Sequence, residues 1–299
     1  MWRKKLSKTS SQLTIKCSRS KQSNINDFPK LRIGYHKLKI MEAMEWTIGW
    51  WRVSLQRVYP TATQLSQTYD KAALGWHEHL RLLGHCHAYR QMWKSLKDAD
   101  ILPDWQDNLT GTLKSFSRRK KLLREPLTIC DCGIGTAAFS LAFAQTINPT
   151  THITGVDISS GMLEIAHQKL SQTNINHQIC QSDVRSLPFA DECFDGVISA
   201  HVLEHLPNPE QGLKEIVRVL RPGSPLILAV TQCNLLGRLI QWHWGNRCFS
   251  QKEVSDLMYK AGLTNIQCFP FPMGLTRLMS FVCIGFRSSM NSTCLSRFE

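Results

Sequence analysis

The first forty residues contain one acidic side chain, Asp27, against eleven lysines and arginines between Arg3 and Lys39. They hold ten of the thirteen net positive charges, which leaves three for the rest of the chain. A nearly neutral body is not the charge footprint of an enzyme that works on nucleic acid, so no nucleic-acid partner is expected. Long apolar runs are also missing: no stretch of about eighteen uncharged apolar residues occurs, and no membrane-spanning helix is expected. The basic leader lacks the apolar region of a secretory signal, and a solvated disordered tail is its expected state. Its serines and its poverty in acids also fit an organelle transit peptide, against which stands the excess of Lys over Arg. The eleven cysteines are odd in number and show no small-scaffold spacing, which points to reduced, mostly buried thiols in a cytoplasmic protein.

What is present divides the chain. Residues 41–124 read as a helical annex and linker. In Ile40–Val58, a helix would align Ile40, Met44, Ile48, Trp51 and Leu55 beside Trp46, Trp50, Arg52 and Arg57. Packing on the main domain is one reading of that stretch, and peripheral contact with a membrane surface is the other. Thr68–Leu96 is expected as one long helix through Ala73, Trp76, Leu80, Leu83, Tyr89 and Trp93. Its histidines, His77, His79, His85 and His87, include no pair at i, i+4, so they form no helical metal face and no metal is expected. Pro103–Arg124 reads as a polar linker.

From residue 125 to 287 short apolar runs alternate with helical segments. Strands are expected at Leu127–Cys132, His152–Val156, His177–Gln181, Phe194–Ala200 and Pro225–Thr231, with two more near Ile266–Phe269 and Leu278–Phe286. Helices are expected at Thr136–Ile147, Gly161–Leu170, Pro209–Leu220 and Gln251–Ala261. Such alternation builds a mostly parallel sheet covered by helices on both faces, an α/β Rossmann-like fold of seven strands. Ligands of such sheets bind at the carboxyl ends of the strands.

The motifs fall there. Cys130-Asp131-Cys132-Gly133-Ile134-Gly135-Thr136-Ala137-Ala138 closes the first strand and opens a helix. Gly133 and Gly135 let a ligand approach the backbone, and the helix start offers free N–H groups. The segment also fits G-x-G-x-x-A, so a nicotinamide-dependent oxidoreductase is a competing reading. Asp131 weighs against it, because a carboxylate two residues before the glycine suits an ammonium and repels a pyrophosphate. Asp157, at the tip of the second strand, can accept both ribose hydroxyls of any adenosine ligand. Asp183 follows the third strand, where its carboxylate can accept the adenine amine while a neighbouring N–H completes base recognition, or where it can simply cap a turn. Phe189, Phe194 and Asp195 read as structural.

As a set, Asp131-x-Gly133-x-Gly135, Gly155-Val156-Asp157, Ser182-Asp183-x-x-x-Leu187-Pro188-Phe189, Phe194-Asp195, His201-Val202-Leu203-Glu204-His205-Leu206 and Leu220-Arg221-Pro222-Gly223 carry a likeness. The chain resembles the class I S-adenosylmethionine-dependent methyltransferases, in the small-molecule, quinone-biosynthesis-like (methyltransferase type 11) branch. The resemblance implies S-adenosylmethionine as cofactor and methyl transfer to a small-molecule acceptor. It assigns Asp131, Gly133 and Gly135 to the methionine side, Asp157 to the ribose, and Asp183 with Val184 to the adenine, and counts Ile158 among the cofactor-binding residues. It puts His201 near the sulfonium and makes Tyr69 the aromatic that closes over the cofactor. Ala137 stands where the family carries a third glycine.

An acceptor O–H, N–H or activated C–H calls for a base. His201, Glu204 and His205 are the catalytic candidates, and a helical turn over Val202–Leu206 would set both histidines on one face. The insertion 232–250, with Leu235, Leu236, Ile240, Trp242, His243 and Trp244, suits either a lid for a lipophilic or aromatic acceptor or a packed cap. So does Phe269–Met273. A non-catalytic module that keeps the fold is a further alternative, and a nucleic-acid or protein methyltransferase is disfavoured by the absence of an Asn-Pro-Pro-Tyr-type motif.

Overall fold

The computed structural model describes residues 60–103, 105, 126–234, 247–272 and 274–289 in full, and before them the backbone of four strands. Those are β1 Gln12–Arg19, β2 Leu31–Ile33, β3 Ala43–Ile48 and β4 Trp51–Val58, an antiparallel sheet in the order β2-β1-β4-β3. The expected helix over Ile40–Val58 is corrected by this sheet, while most of the leader 1–40 lies outside the described residues. In sequence, Trp51, Val53 and Leu55 alternate with Arg52, Ser54 and Gln56, a period-two pattern that the helical reading overlooked. Two residues, Gly49 and Trp50, separate β3 from β4, the spacing of a tight hairpin.

Two helices follow, α1 Ala62–Leu82 and α2 His85–Asp98. The single long helix expected over Thr68–Leu96 is broken at Gly84, whose φ of 79° lies in the left-handed region that glycine enters without a steric penalty. Thr61 caps α1 through a reciprocal pair with Gln64. Helix α2 is amphipathic and buries Ala88, Tyr89, Met92, Trp93 and Leu96.

The main domain runs β5 Thr128–Cys132, α3 Ala138–Thr146, β6 His152–Asp157, α4 Ser160–Gln172, β7 His177–Gln181, β8 Gly196–Ala200, α5 Pro209–Val219, β9 Pro225–Thr231, α6 Gln251–Lys260, β10 Leu263–Pro270, a one-turn α7 Thr276–Met279 and β11 Ser280–Arg287. The seven strands order as β10-β11-β9-β8-β5-β6-β7. All neighbours are parallel except β11, which pairs antiparallel with both β9 and β10. The Rossmann-like sheet expected from the alternation is therefore present, with the helical annex beside it. Strand order reverses between β5 and β8, and the motif loops lie at the carboxyl ends of those strands.

One core layer joins α2 and α3 to the sheet through Trp93, Phe139, Phe143, Ile198 and Phe271. The other joins α5 and α6 through Leu213, Ile216, Val254 and Met258. Phe271, expected as part of an apolar lid or cap, is fully buried against Tyr89 and so belongs to the core. Phe189 and Phe194 meet edge to face, and Asp195 binds Thr128 and Arg221, structural roles as expected. Cys268 and Cys283 face each other across β10 and β11 and form a disulfide, which corrects the expectation of reduced thiols throughout. Register, which spacing in the sequence does not reveal, brings them together. No helix among the described residues is long and apolar enough to cross a membrane.

Candidate active site at the carboxyl edge of the sheet

Asp131, the penultimate residue of β5, is buried, and its Oδ2 accepts the Ser140 hydroxyl of α3 at 2.5 Å. Oδ1 is buried without a partner. Burial pushes the Asp131 carboxyl up to about 7. The chain then turns sharply: the amides of Gly133 and Ile134 both donate to the Val156 carbonyl of β6, at 2.7 and 2.9 Å. Gly133 has a φ of 78°, and a Cβ there would lie 2.0 Å from Val202 Cγ2. Gly135 also has positive φ, but a Cβ there would meet no protein atom within 4 Å. Of these two glycines, one is fixed by the fold and the other leaves an open cradle.

Ala137, at the position of the family's third glycine, has a φ of 63° and opens α3 without a side-chain cap. A left-handed alanine costs on the order of 1–2 kcal/mol, which is the physical reason a glycine is usual there.

Asp157 ends β6 beside this loop. Its Oδ2 accepts the Gly135 amide and its Oδ1 the Ser159 amide, both at 2.9 Å, so each oxygen keeps a lone pair for a further donor. Burial raises its carboxyl, opposed by those amide bonds. Ile158, partly buried, offers its carbonyl to Ser66 and Gln181. The Ser182 amide donates to the Asp157 carbonyl, which brings the Asp183 turn to the same edge. Asp183 itself is held by Arg185, whose guanidinium lies within 2.5–3.1 Å of both carboxylate oxygens and holds the carboxyl below its usual range. The Val184 side chain turns into the core. Of the expected adenine pair, then, the carboxylate is engaged by its own neighbour and the valine side chain packs inward.

Strand β8 delivers His201 with a φ of 59°, left-handed backbone that is uncommon for a residue other than glycine and that clusters at functional sites. Its amide is fixed on the Ala229 carbonyl at 2.8 Å. Leu203–His205 form a 3-10 turn, not the α-helical turn expected over Val202–Leu206. The two histidines therefore part ways: His201 Nδ1 meets Glu204 Oε1 at 3.0 Å, and His205 Nε2 meets the Tyr69 hydroxyl at 2.9 Å. Glu204 is buried, and Oε1 also accepts the Thr231 amide at 2.6 Å, while Oε2 has no partner. Burial raises its carboxyl, and His201 and the other neighbours more than reverse that, leaving it below its usual range. Burial also depresses His205 and takes His85 down to about 4.

Besides Ser66 on the Ile158 carbonyl, three polar side chains of helix α1 hold this edge at three different loops. Tyr69 reaches His205, Asp70 Oδ1 accepts Ser159 Oγ (2.6 Å) and the Gly161 amide (3.0 Å), and His77 meets Thr136 Oγ1 at 3.2 Å. Sequence reasoning singled out Tyr69 but missed Asp70, His77, Ser140 and Thr231, because each acts across at least nine positions and no local pattern marks it. The lid residues Leu235–Trp244 lie outside the described residues. The ends of that insertion are pinned near the site, with the Arg247 amide on the Glu204 carbonyl and Gln232 bridging to Phe249.

Four buried side-chain atoms among the described residues have no hydrogen-bond partner, and three of them belong to this edge: Asp131 Oδ1, His201 Nε2 and Glu204 Oε2. Buried polar atoms are nearly always paired, so this concentration marks a place built for a ligand. A carboxylate with one oxygen unpartnered, a second carboxylate with free lone pairs, and an open glycine cradle fit an adenosyl sulfonium with its ammonium. A hollow of about 470 Å³ beside Arg185, Lys214 and Arg218 carries less weight, because its cations are already paired with Asp183, Glu210 and Glu215.

Residues 130–228 match the family model described as a methyltransferase domain. The chain contains a methyltransferase domain. This domain is 37% identical over 131 residues to a demethylmenaquinone methyltransferase of Desulfitobacterium hafniense, which covers 40% of this chain and 52% of that protein. It is 34% identical over 121 residues to the namesake of Listeria monocytogenes, covering 39% and 51%. The chain thus spans about half the length of the curated relatives it matches. Among solved structures, a methyltransferase of Thermotoga maritima titled a possible histamine N-methyltransferase matches with a TM-score of 0.52 at 22% identity, covering 75% of this chain and all of that one. A putative O-methyltransferase of Nostoc punctiforme gives 0.54 at 15%, over 74% and 60%. At those identities the likeness is one of fold.

Proposed function

We propose that the protein binds S-adenosylmethionine across the Gly133–Gly135 loop and Asp157 and transfers its methyl group to a small lipophilic or aromatic acceptor. The observation that carries this reading is the group of unpartnered polar atoms of Asp131, His201 and Glu204 at one sheet edge, beside a glycine that leaves room for a ligand. Asp131 would take the ammonium, Asp157 the ribose hydroxyls, and the Gly135 region the methionine chain. Asp183 could reach the adenine amine only after Arg185 lets go of it, so the Val184 backbone is the steadier adenine contact. Tyr69 would close the site from α1.

Bound there, the cofactor supplies a methyl group activated on a sulfonium. The protein then has to hold the acceptor in line, exclude water and manage a proton. His201, Glu204 and His205 stand on the acceptor side of the site. The names of the relatives, demethylmenaquinone methyltransferases, support a quinone-type acceptor. The nearly neutral charge outside the leader supports a small acceptor over nucleic acid. A cytoplasmic location with peripheral membrane contact through residues 40–58 would suit a lipophilic acceptor.

Calorimetry with S-adenosylmethionine tests the first half of this reading, with NADH as the control ligand. Mass spectrometry of a cell extract incubated with the protein and methyl-labelled cofactor tests the second. Label in a polar metabolite alone would remove the lipophilic acceptor, and tight binding of NADH alone would remove methyl transfer.

A further inference from the structure

The three acceptor-side candidates are not equivalent, because the hydrogen bonds around them divide the work. His205 Nε2 is occupied by the Tyr69 hydroxyl, so that ring is a clasp for α1. Glu204 Oε1 already holds the Thr231 amide and His201, and the whole side chain is buried behind His201. A carboxylate only accepts, so the 3.0 Å contact requires that His201 Nδ1 carry the hydrogen. Thr231 Oγ1, 3.3 Å from the same nitrogen, then stands on it as a second acceptor. The remaining ring nitrogen, Nε2, has a lone pair and no protein partner. Val202, the next residue, packs on Gly133, which sets His201 against the cofactor loop.

Resting on the reading of the site as a methyltransferase centre, we infer that Glu204 and Thr231 lock His201 into the tautomer with the hydrogen on Nδ1, so that Nε2 acts as the base for an acceptor that must lose a proton. The acceptor class is therefore one bearing a hydroxyl or an equally acidic C–H, such as a phenol or hydroquinone. It is not an amine or thioether, which can attack with a lone pair already free. In the step, the acceptor's proton passes to Nε2 and the electron pair it leaves attacks the methyl carbon. The pair of the breaking S–C bond stays on sulfur, which becomes a neutral thioether. The imidazolium so formed lies against the Glu204 carboxylate until solvent removes the proton.

The charged and titratable groups that face His201 are Glu204 and His205 from its own turn and His85 from α2, whose ring stands perpendicular at 5.9 Å. Tyr69 of α1 faces Glu204. Burial keeps His85 neutral near pH 7, so it adds no positive charge to oppose protonation of His201. Glu204 is thus a positioning residue, and His201 the group that meets the acceptor.

Nitrogen-15 NMR of the cofactor-free protein at pH 7.5 reads the tautomer directly. The expected spectrum places the His201 hydrogen on Nδ1, with that preference lost in Glu204→Gln. A hydrogen on Nε2 in the unsubstituted protein, or an unchanged spectrum in Glu204→Gln, overturns the assignment. The second arm follows methyl label into a short-chain prenylated naphthohydroquinone and into total cell extract. His201→Asn should keep the fold, since asparagine tolerates left-handed backbone. Its transfer rate should fall about 10²–10⁴-fold with cofactor affinity kept, as expected for loss of a general base. Undiminished transfer in His201→Asn sinks the role of Nε2, while failure of the unsubstituted protein to bind the cofactor sinks the underlying reading.

Discussion

Asp70, eight residues into α1, caps a helix to which it does not belong: its Oδ1 accepts the amide of Gly161 at 3.0 Å, in the first turn of α4. The same oxygen holds Ser159 Oγ, the residue that caps α4 from its own chain segment. A carboxylate at a helix N-terminus is favoured by the unpaired amides and by the helix dipole. The hydrogen bond from Ser159 is the largest reason the Asp70 carboxyl lies below its ordinary range. This contact fastens the annex to the sheet edge on which the candidate site is built.

Replacing Asp70 by Ala should therefore cost about 1 kcal/mol of stability, the typical value of an N-cap. It should also loosen α1 enough to weaken cofactor binding. Urea denaturation at neutral pH and calorimetry measure the two effects, and a variant as stable and as tight-binding as the unsubstituted protein would show that the cap contributes nothing.

Gly133 and Val202 are expected to behave as a coupled pair. Gly133→Ala places a methyl 2.0 Å from Val202 Cγ2 on left-handed backbone, for a combined cost of roughly 2–4 kcal/mol. Adding Val202→Ala removes the clash but not the backbone strain, so the double variant should recover part of the loss. Gly135→Ala meets no protein atom and should lose cofactor affinity more than stability. Denaturation midpoints for the unsubstituted protein, Gly133→Ala, Val202→Ala and the double variant decide the matter, and strictly additive losses at 133 and 202 would contradict it.

Asp157→Ala should weaken S-adenosylmethionine by about 1.5–3 kcal/mol, the value of hydrogen bonds to a charged group. Asp157→Asn should lose less, because one oxygen remains to accept the Gly135 or Ser159 amide. Equal affinities in calorimetry would mean that the ribose binds elsewhere.

The buried Asp131 carboxyl makes the free protein sensitive to pH. Its folded-state value of about 7 lies above the unfolded value of about 3.9, so the folded chain binds the proton more tightly. That contribution to stability is fully present below about pH 4 and is lost as pH rises through about 7. Stability of the cofactor-free protein should fall between about pH 4 and pH 7, and Asp131→Asn should flatten the fall. Some slope should remain, because burial raises Asp157 in the same direction. Identical urea midpoints for the two proteins across that range would show that Asp131 is ionised throughout.

Much of the fold was legible in one dimension. The turn from mixed composition to strand–helix alternation at residue 125 depends on local periodicity, and so does the glycine loop after β5. Both survive in the structure because short apolar runs have no partner but a sheet. The positions of Asp131, Asp157 and His201 follow from the same rule, since residues at or next to the end of a parallel strand must lie at its carboxyl edge. Even the usual glycine at position 137 has a backbone reason, visible in the φ of its alanine.

Tertiary structure alone decided the rest. Whether Trp51–Val58 is helix or strand depended on the register it shares with β1 and β3, because its pattern satisfies both periods in part. The pairing of Cys268 with Cys283 depended on the register of β10 against β11. The division of labour among His201, Glu204 and His205 was set by Thr231 and Tyr69, 27 residues beyond Glu204 and 136 before His205. Local sequence determines which strand and turn a side chain comes from. Which of its atoms are left without a partner is determined only when every distant donor and acceptor has found its place.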